Sequence, residues 1–169
     1  MKISEVQANL YTLAVDAMKR AYNPYSHYSV GAALQTTDGI ISAGCNVENV
    51  SYRLTLCAEA NAIGALIGSN GHATLQHILI VASGSGFPSP CGACRQIIAE
   101  FSHPETEVHL ARAKENNAGF DVRTYRISAL LPLSFSQYMM TEQPSTEQPS
   151  VAEQPVETLQ KSSIPHTSA

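Results

Sequence analysis

Apolar residues recur at helical spacing from the start of the chain: Ile3, Val6, Leu10, Leu13 and Ala17 fall on one face, with Ala14, Met18 and Ala21 beside them. This predicts an amphipathic helix over residues 4–21. Ser4 with Gln7 three residues on forms a capping box at its start. Asn23-Pro24 stops it, because the residue before a proline avoids helical angles. Tyr28 to Thr36 alternates loosely among small apolar residues, Thr37-Asp38-Gly39 signals a turn, and Ile40 to Cys45 completes a hairpin. Ala58 to Ile67 is apolar nearly all round and meets Gly68, which predicts a buried helix with a glycine C-cap. Ile78 to Ala82 is a continuous apolar run, as expected of a central strand covered on both faces. Pro90 suits the first position of a helix running to about Phe101. Glu107 to Ala111 and Phe120 to Arg126 read as strands, and Ile127 to Leu131 as a last short helix. Helices alternating with strands in this order predict a three-layer α/β domain.

The pattern fails after about residue 138. Thr141-Glu142-Gln143-Pro144-Ser145 is repeated directly by Thr146-Glu147-Gln148-Pro149-Ser150, with a looser echo in Ala152-Glu153-Gln154-Pro155-Val156. A segment of Glu, Gln, Pro and Ser has too little apolar surface to offset the entropy of ordering it. Residues 1–140 are therefore expected to form one domain and 141–169 a disordered tail.

Composition narrows the function. Of 169 residues, 44% are hydrophobic and 14% charged, enough apolar content for a well-packed core. The net charge of −4 and the absence of any basic run argue against a nucleic-acid partner, which needs clustered Lys and Arg. The first residues carry no apolar signal segment, and no stretch approaches a membrane span, so a cytoplasmic location is expected. There, cysteines stay reduced and more often bind metal or do chemistry than form disulfides.

Two cysteine stretches stand out: Leu56-Cys57-Ala58-Glu59 and Pro90-Cys91-Gly92-Ala93-Cys94-Arg95-Gln96. Three thiols suit a zinc site that keeps one position open for water, as catalytic sites do. Zinc with three thiolates carries a net negative charge, which makes water harder to ionise. Both cysteine groups fall at predicted helix N-termini, where free N–H groups and the helix dipole stabilise anionic sulfur. Arg95 adds positive charge beside the second pair. Glu59, in an otherwise apolar helix beside a thiol, needs a buried partner or a chemical task. A closed Cys₄ structural zinc with Cys45 as fourth ligand competes with this reading, as does a redox Cys-x-x-Cys. Taken alone, Cys45 is a small core residue. The six histidines (His27, His72, His77, His103, His109 and His166) lack ligand spacing and read as loop or surface residues. Tyr11, Tyr22, Tyr25 and Tyr52 read as packing residues.

Cys-Ala-Glu followed by Pro-Cys-x-x-Cys resembles the signature of zinc deaminases of cytosine and adenine, a match made by recognition of that signature. Together with Ala21-Tyr22-Asn23-Pro24-Tyr25-Ser26-His27-Tyr28, Val30-Gly31-Ala32-Ala33-Leu34, Gly44-Cys45-Asn46-Val47-Glu48-Asn49 and Leu130-Leu131-Pro132, the chain resembles the small, homotetrameric cytidine deaminases from about residue 5 to 138. The resemblance implies an α/β/α fold with a mixed sheet of about five strands. It also implies zinc on Cys57, Cys91 and Cys94, and Glu59 moving a proton from the attacking water to ring N3 and then to the leaving ammonia. Asn46 and Glu48 would hold the ribose hydroxyls, with Tyr28 and Ala58 beside the base. Phe135 would complete a neighbouring subunit's pocket, making a homotetramer the active form. Arg95 would support the thiolates. The family commonly has Arg where this chain has Ala60, and Phe where it has Tyr28.

The implied reaction is hydrolytic deamination of cytidine and 2′-deoxycytidine in pyrimidine salvage. A deaminase of N4-substituted cytidine or of a blasticidin-type nucleoside is the nearest rival. A polynucleotide editor is disfavoured by the charge. A non-catalytic zinc-stabilised binding module that uses its tail is a reading of a different class.

Overall fold

The computed structural model describes residues 3–114 and 119–135. The helix α1 spans Glu5–Met18, and Ser4 and Gln7 form the expected reciprocal cap. It ends three residues earlier than the periodicity suggested. Tyr22 is drawn instead into an isolated bridge with Val47, its N–H donating to the Asn46 carbonyl at 3.1 Å. The strands β1 (Val30–Thr36) and β2 (Ile41–Cys45) form the expected hairpin. After a short 3₁₀ turn at Tyr52–Leu54, the chain enters α2 (Ala58–Asn70).

The glycine expected to cap α2, Gly68, lies inside it. Gly71, at φ +75°, takes the left-handed position instead. Nor is α2 buried all round. Ala58, Glu59, Ala62, Ile63 and Leu66 are buried, while Gly64, Ala65 and Gly68 face outward. Small residues on the outer face lowered the contrast that marks amphipathicity.

β3 (Leu75–Ala82) contains the continuous apolar run. α3 (Gly92–Glu100) starts two residues after Pro90, with Cys91 as its N-cap. β4 (Ser102–Ala113) is longer than its apolar part, because its first residues, Ser102-His103-Pro104-Glu105, are polar and mostly exposed. β5 (Phe120–Arg126) and α4 (Ile127–Leu130) follow.

Among the described residues these strands form one mixed sheet in the order β2-β1-β3-β4-β5. The β3–β4 pair is parallel and the other pairs are antiparallel. A parallel pair needs a crossover connection, and α3 supplies it.

Alternation along the strands sorts the core into two layers. Ala33, Leu79, Val81 and Ala111 pack with Leu10 and Ala14 of α1. Ala32, Leu34, Ile78, Ile80, Val108 and Leu110 pack with Ala62, Ile63 and Leu66 of α2, Ile98 of α3 and Ile127 of α4. The three-layer α/β/α architecture is therefore as expected. Gly44 permits the close approach of α2 to β2: a Cβ there would lie 2.5 Å from the Ala62 nitrogen and 2.8 Å from the Ala58 carbonyl.

Two side-chain readings need correction. His109 is 1% exposed in the middle of β4, and His77 lies on β3, so neither is a loop residue. Tyr11 does pack, stacking on Phe120 at 3.9 Å, but Tyr22, Tyr25 and Tyr52 are exposed. The domain boundary near residue 140, the repetitive tail and His166 lie outside the described residues.

Candidate active site at two helix N-termini

Cys57 and Cys91 occupy equivalent positions, the N-cap of α2 and the N-cap of α3. An N-cap side chain can turn back over the free N–H groups of the first turn. Cys91 does so, its sulfur accepting from the Cys94 N–H at 3.5 Å. Cys94 projects from the first turn of α3 and is buried. The Cys57 and Cys91 sulfurs are 4.0 Å apart, and all three sulfurs lie within 4.8 Å of one another. Zinc–sulfur bonds of 2.3 Å in a tetrahedron place sulfurs about 3.8 Å apart. Distance and donor type both fit zinc.

The thiols are electrostatically linked. A hydrogen bond from Cys94 is the largest influence on Cys57 and lowers its thiol to about 6. Burial and the Glu59 charge oppose that shift, and a hydrogen bond with Cys91 adds to it. The same bond with Cys57 is the main reason Cys94 holds its proton well above the usual thiol range, aided by burial and neighbouring negative charge. A low thiol pKa favours the thiolate that binds metal.

Glu59 is the second residue of α2 and 4% exposed. Burial raises its carboxyl above the ordinary glutamate value, with hydrogen bonds from its own backbone and from Cys94 partly offsetting this. A residue two positions from a helical neighbour points to another face. Here Cys57 lies just outside the helix, and the Glu59 charge acts on its thiol. Ala58, between them, is fully buried.

Cys45 ends β2 and does not join the three-sulfur cluster. This removes the geometry on which a closed Cys₄ site depended. Arg95 is engaged by oxygen acceptors. Its guanidinium donates to the Pro90 carbonyl at 3.0 Å, the Leu130 carbonyl at 3.1 Å and the Ser89 hydroxyl at 3.0 Å. The groups that shift Cys57 are Cys94, Glu59 and Cys91, and Arg95 is not among them. Arg95 fixes the loop that delivers Cys91.

The residues expected around a nucleoside are distributed differently. Asn46 is buried, its Oδ1 accepting from Val30 N at 2.8 Å and its Nδ2 donating to the Tyr28 carbonyl at 2.9 Å. It ties the end of β2 to the segment entering β1. Glu48 accepts from Tyr25 N at 3.0 Å and Ser26 N at 3.2 Å. A hydrogen bond from the Ser26 side chain, aided by these backbone contacts and opposed by desolvation, holds its carboxyl below the usual range. Glu48 lines a cavity of about 270 Å³ with Tyr25, Ser26, Tyr52 and Thr55. Tyr25 and Tyr52, read from sequence as packing residues, are its aromatic walls. The ring of Tyr28 lies over Gly84, in the loop after β3. Phe135 is 60% exposed, accepts from Gln96 Nε2 at 2.8 Å through its carbonyl, and lines a separate cavity that contains none of the cysteines.

Comparison with known proteins agrees with this arrangement. Residues 4–110 match the family model described as the cytidine and deoxycytidylate deaminase zinc-binding region. A cytidine deaminase of Sporosarcina psychrophila is 42% identical over 121 residues, 72% of this chain and 85% of that protein. The crystal structure of a cytidine deaminase from Burkholderia pseudomallei superposes with a TM-score of 0.67 at 40% identity, covering 75% of this chain and 97% of that one. A blasticidin-S deaminase of Bacillus cereus is more distant, 32% identical over 59% of this chain and 76% of its own length.

A sheet carrying three thiols and a buried carboxylate at two helix N-termini defines a zinc-dependent deaminase. This chain belongs to the cytidine and deoxycytidylate deaminase family.

Proposed function

We propose that the protein catalyses hydrolytic deamination of cytidine and 2′-deoxycytidine to uridine and 2′-deoxyuridine, with release of ammonia. The observation that carries this reading is the buried Glu59 carboxyl on the first turn of α2, beside three sulfurs whose spacing fits zinc. Cys57, Cys91 and Cys94 would hold the ion. Zinc bound there supplies Lewis acidity and lowers the pKa of water at the open position.

Glu59 takes a proton from the attacking water and delivers it to ring N3. The water oxygen bonds to C4, the C4–N4 bond breaks, and the amine leaves as ammonia with a proton returned through Glu59. Its burial suits this work: a carboxyl with a raised pKa accepts and returns a proton near neutral pH more readily than an ordinary glutamate. Asn46 and Glu48 position the ribose. For Asn46 this means acting while its amide also holds β1 to β2, so its orientation is fixed before substrate arrives. Tyr28 and Ala58 flank the base, and Arg95 keeps Cys91 in place.

The active form in this reading is a cytoplasmic homotetramer working in pyrimidine salvage. Exposure of the Phe135 ring, away from its own subunit's cysteines, supports a contribution across a subunit boundary.

The test is the ultraviolet absorbance change when zinc-loaded protein meets cytidine. Steady conversion to uridine is expected. No conversion with zinc still bound would overturn the substrate assignment in favour of N4-substituted cytidine or a blasticidin-type nucleoside. One observation favours that second reading: Ala60, half-buried on the first turn of α2, is much smaller than the arginine common at this position in the family.

A further inference from the structure

On the opposite face of the sheet, under α1, lies a second cluster of metal-ligating side chains. β3 and β4 place His77 opposite Glu107, with His109 two residues further along the same face of β4. His77 Nδ1 is 3.3 Å from Glu107 Oε2 and 3.3 Å from His109 Nε2, and His109 Nε2 is 3.7 Å from Glu107 Oε2. Zinc–nitrogen and zinc–oxygen bonds of 2.0–2.2 Å in a tetrahedron require ligand atoms about 3.3–3.6 Å apart. Two of the separations fall in this range, and the third, 3.7 Å, is slightly longer than an edge of such a tetrahedral face.

We propose that His77, Glu107 and His109 form a second zinc site, independent of the cysteine centre. Two imidazoles and one carboxylate are a donor set that zinc accepts with a fourth position open. Glu107 is about half exposed and His77 partly exposed, so this position communicates with solvent.

Support around the ligands strengthens the assignment. Metal-binding histidines ordinarily donate their second ring N–H to an oxygen that fixes the tautomer. His109 Nδ1 sits 2.8 Å from the Thr124 hydroxyl on β5. Donation from Nδ1–H to that hydroxyl leaves the Nε2 lone pair directed at His77 and Glu107. Gln7 closes the far side. Its Oε1 is occupied by Ser4 N, so its amide nitrogen donates to the Thr124 hydroxyl at 3.4 Å, which accepts from both side chains. Burial, with His77 nearby, keeps His109 neutral at physiological pH by pulling its imidazole down to about 4. Neutral imidazole is the ligating form.

A metal here would join β3 and β4 directly, and β5 and α1 through Thr124 and Gln7. The role is a clamp on the layer that faces away from the cysteines.

The experiment starts from full-length protein whose cysteine site is already zinc-loaded. Further zinc is added under equilibrium dialysis, and bound metal per chain is measured. Two equivalents are expected for the wild type, and one for His77→Ala and for Glu107→Ala, with cytidine turnover unchanged in both. Thr124→Val should weaken the second equivalent by ~10–100-fold. Cobalt added as the second equivalent should show visible bands without the near-ultraviolet absorption of cobalt–thiolate bonds. A wild-type stoichiometry of one, or a second equivalent that survives both alanine variants, would overturn the proposal.

Discussion

Glu59 places a carboxyl where water cannot reach it freely, and this sets opposing demands on stability and catalysis. Its pKa is raised in the folded protein, so its contribution to metal-free stability is fully present below the ordinary glutamate value and is lost as pH rises through the folded one. In zinc-free protein, Glu59→Gln removes this ionisable carboxyl, so its gain in denaturation midpoint over wild type is expected to grow as pH rises. The same variant should retain zinc while lowering kcat by ~10²–10⁴-fold, read by absorbance at saturating cytidine. Cys57→Ser should lose zinc, whereas Cys45→Ser should keep both zinc and activity, because Cys45 stands outside the sulfur cluster. Metal analysis of the two variants separates a three-thiol centre from a four-thiol one. The clustering of these residues was legible because it depends on short spacings: Cys57-x-Glu59 and Cys91-x-x-Cys94 each fall within one helix turn. The loop-tying contacts of Arg95 were not legible, because charge is visible in a sequence and hydrogen-bond geometry is not. Its three acceptors come from Ser89, Pro90 and Leu130, the last brought near only by folding.

At the scale of elements, the site depends on how closely α2 lies against β2. Gly44→Ala would push a methyl group into the backbone of α2 near Ala58 and Ala62. Overpacking of this kind costs about 1–3 kcal/mol, and the displacement would carry Cys57 and Glu59 with it. A lower unfolding midpoint together with reduced zinc affinity is the expected result. A stability loss without any change in zinc affinity would show that α2 moves without its N-terminus. The strands and helices themselves were legible from periodicity, and β5 matched its sequence limits. The errors fell where periodicity is silent. Gly64 and Gly68 on the outer face of α2 hid its amphipathicity and its true end, and the polar opening of β4 concealed half that strand. His77 and His109 were misplaced for a related reason. Each sits at an inward position of a strand, with Leu79 and Val81 or Ala111 continuing its face, but polar residues at such positions look like strand ends until the neighbouring partner is known.

For the whole molecule, the expected boundary near residue 140 predicts that a chain ending there keeps zinc binding and cytidine turnover equal to full length, measured side by side. A large loss of activity in the shortened chain would assign the repetitive tail a part in the site or the assembly. Sedimentation provides the parallel test of the tetramer: Phe135→Ala should reduce turnover, with the remaining activity following protein concentration if subunits complete one another's pockets. The order of construction also matters. Cys57 and Cys91 are 34 residues apart, and the intervening chain contains α2 and β3, the middle strand of the sheet. Bringing such distant points together costs loop-closure entropy that local contacts cannot offset. In the folded chain β3 lies between its neighbours and both helices are seated, so the sulfur triangle is a product of the whole sheet and not of either motif alone. A chain whose sheet is unfinished therefore offers separated thiols, whereas the completed fold holds all three sulfurs within 4.8 Å of one another as one chelate.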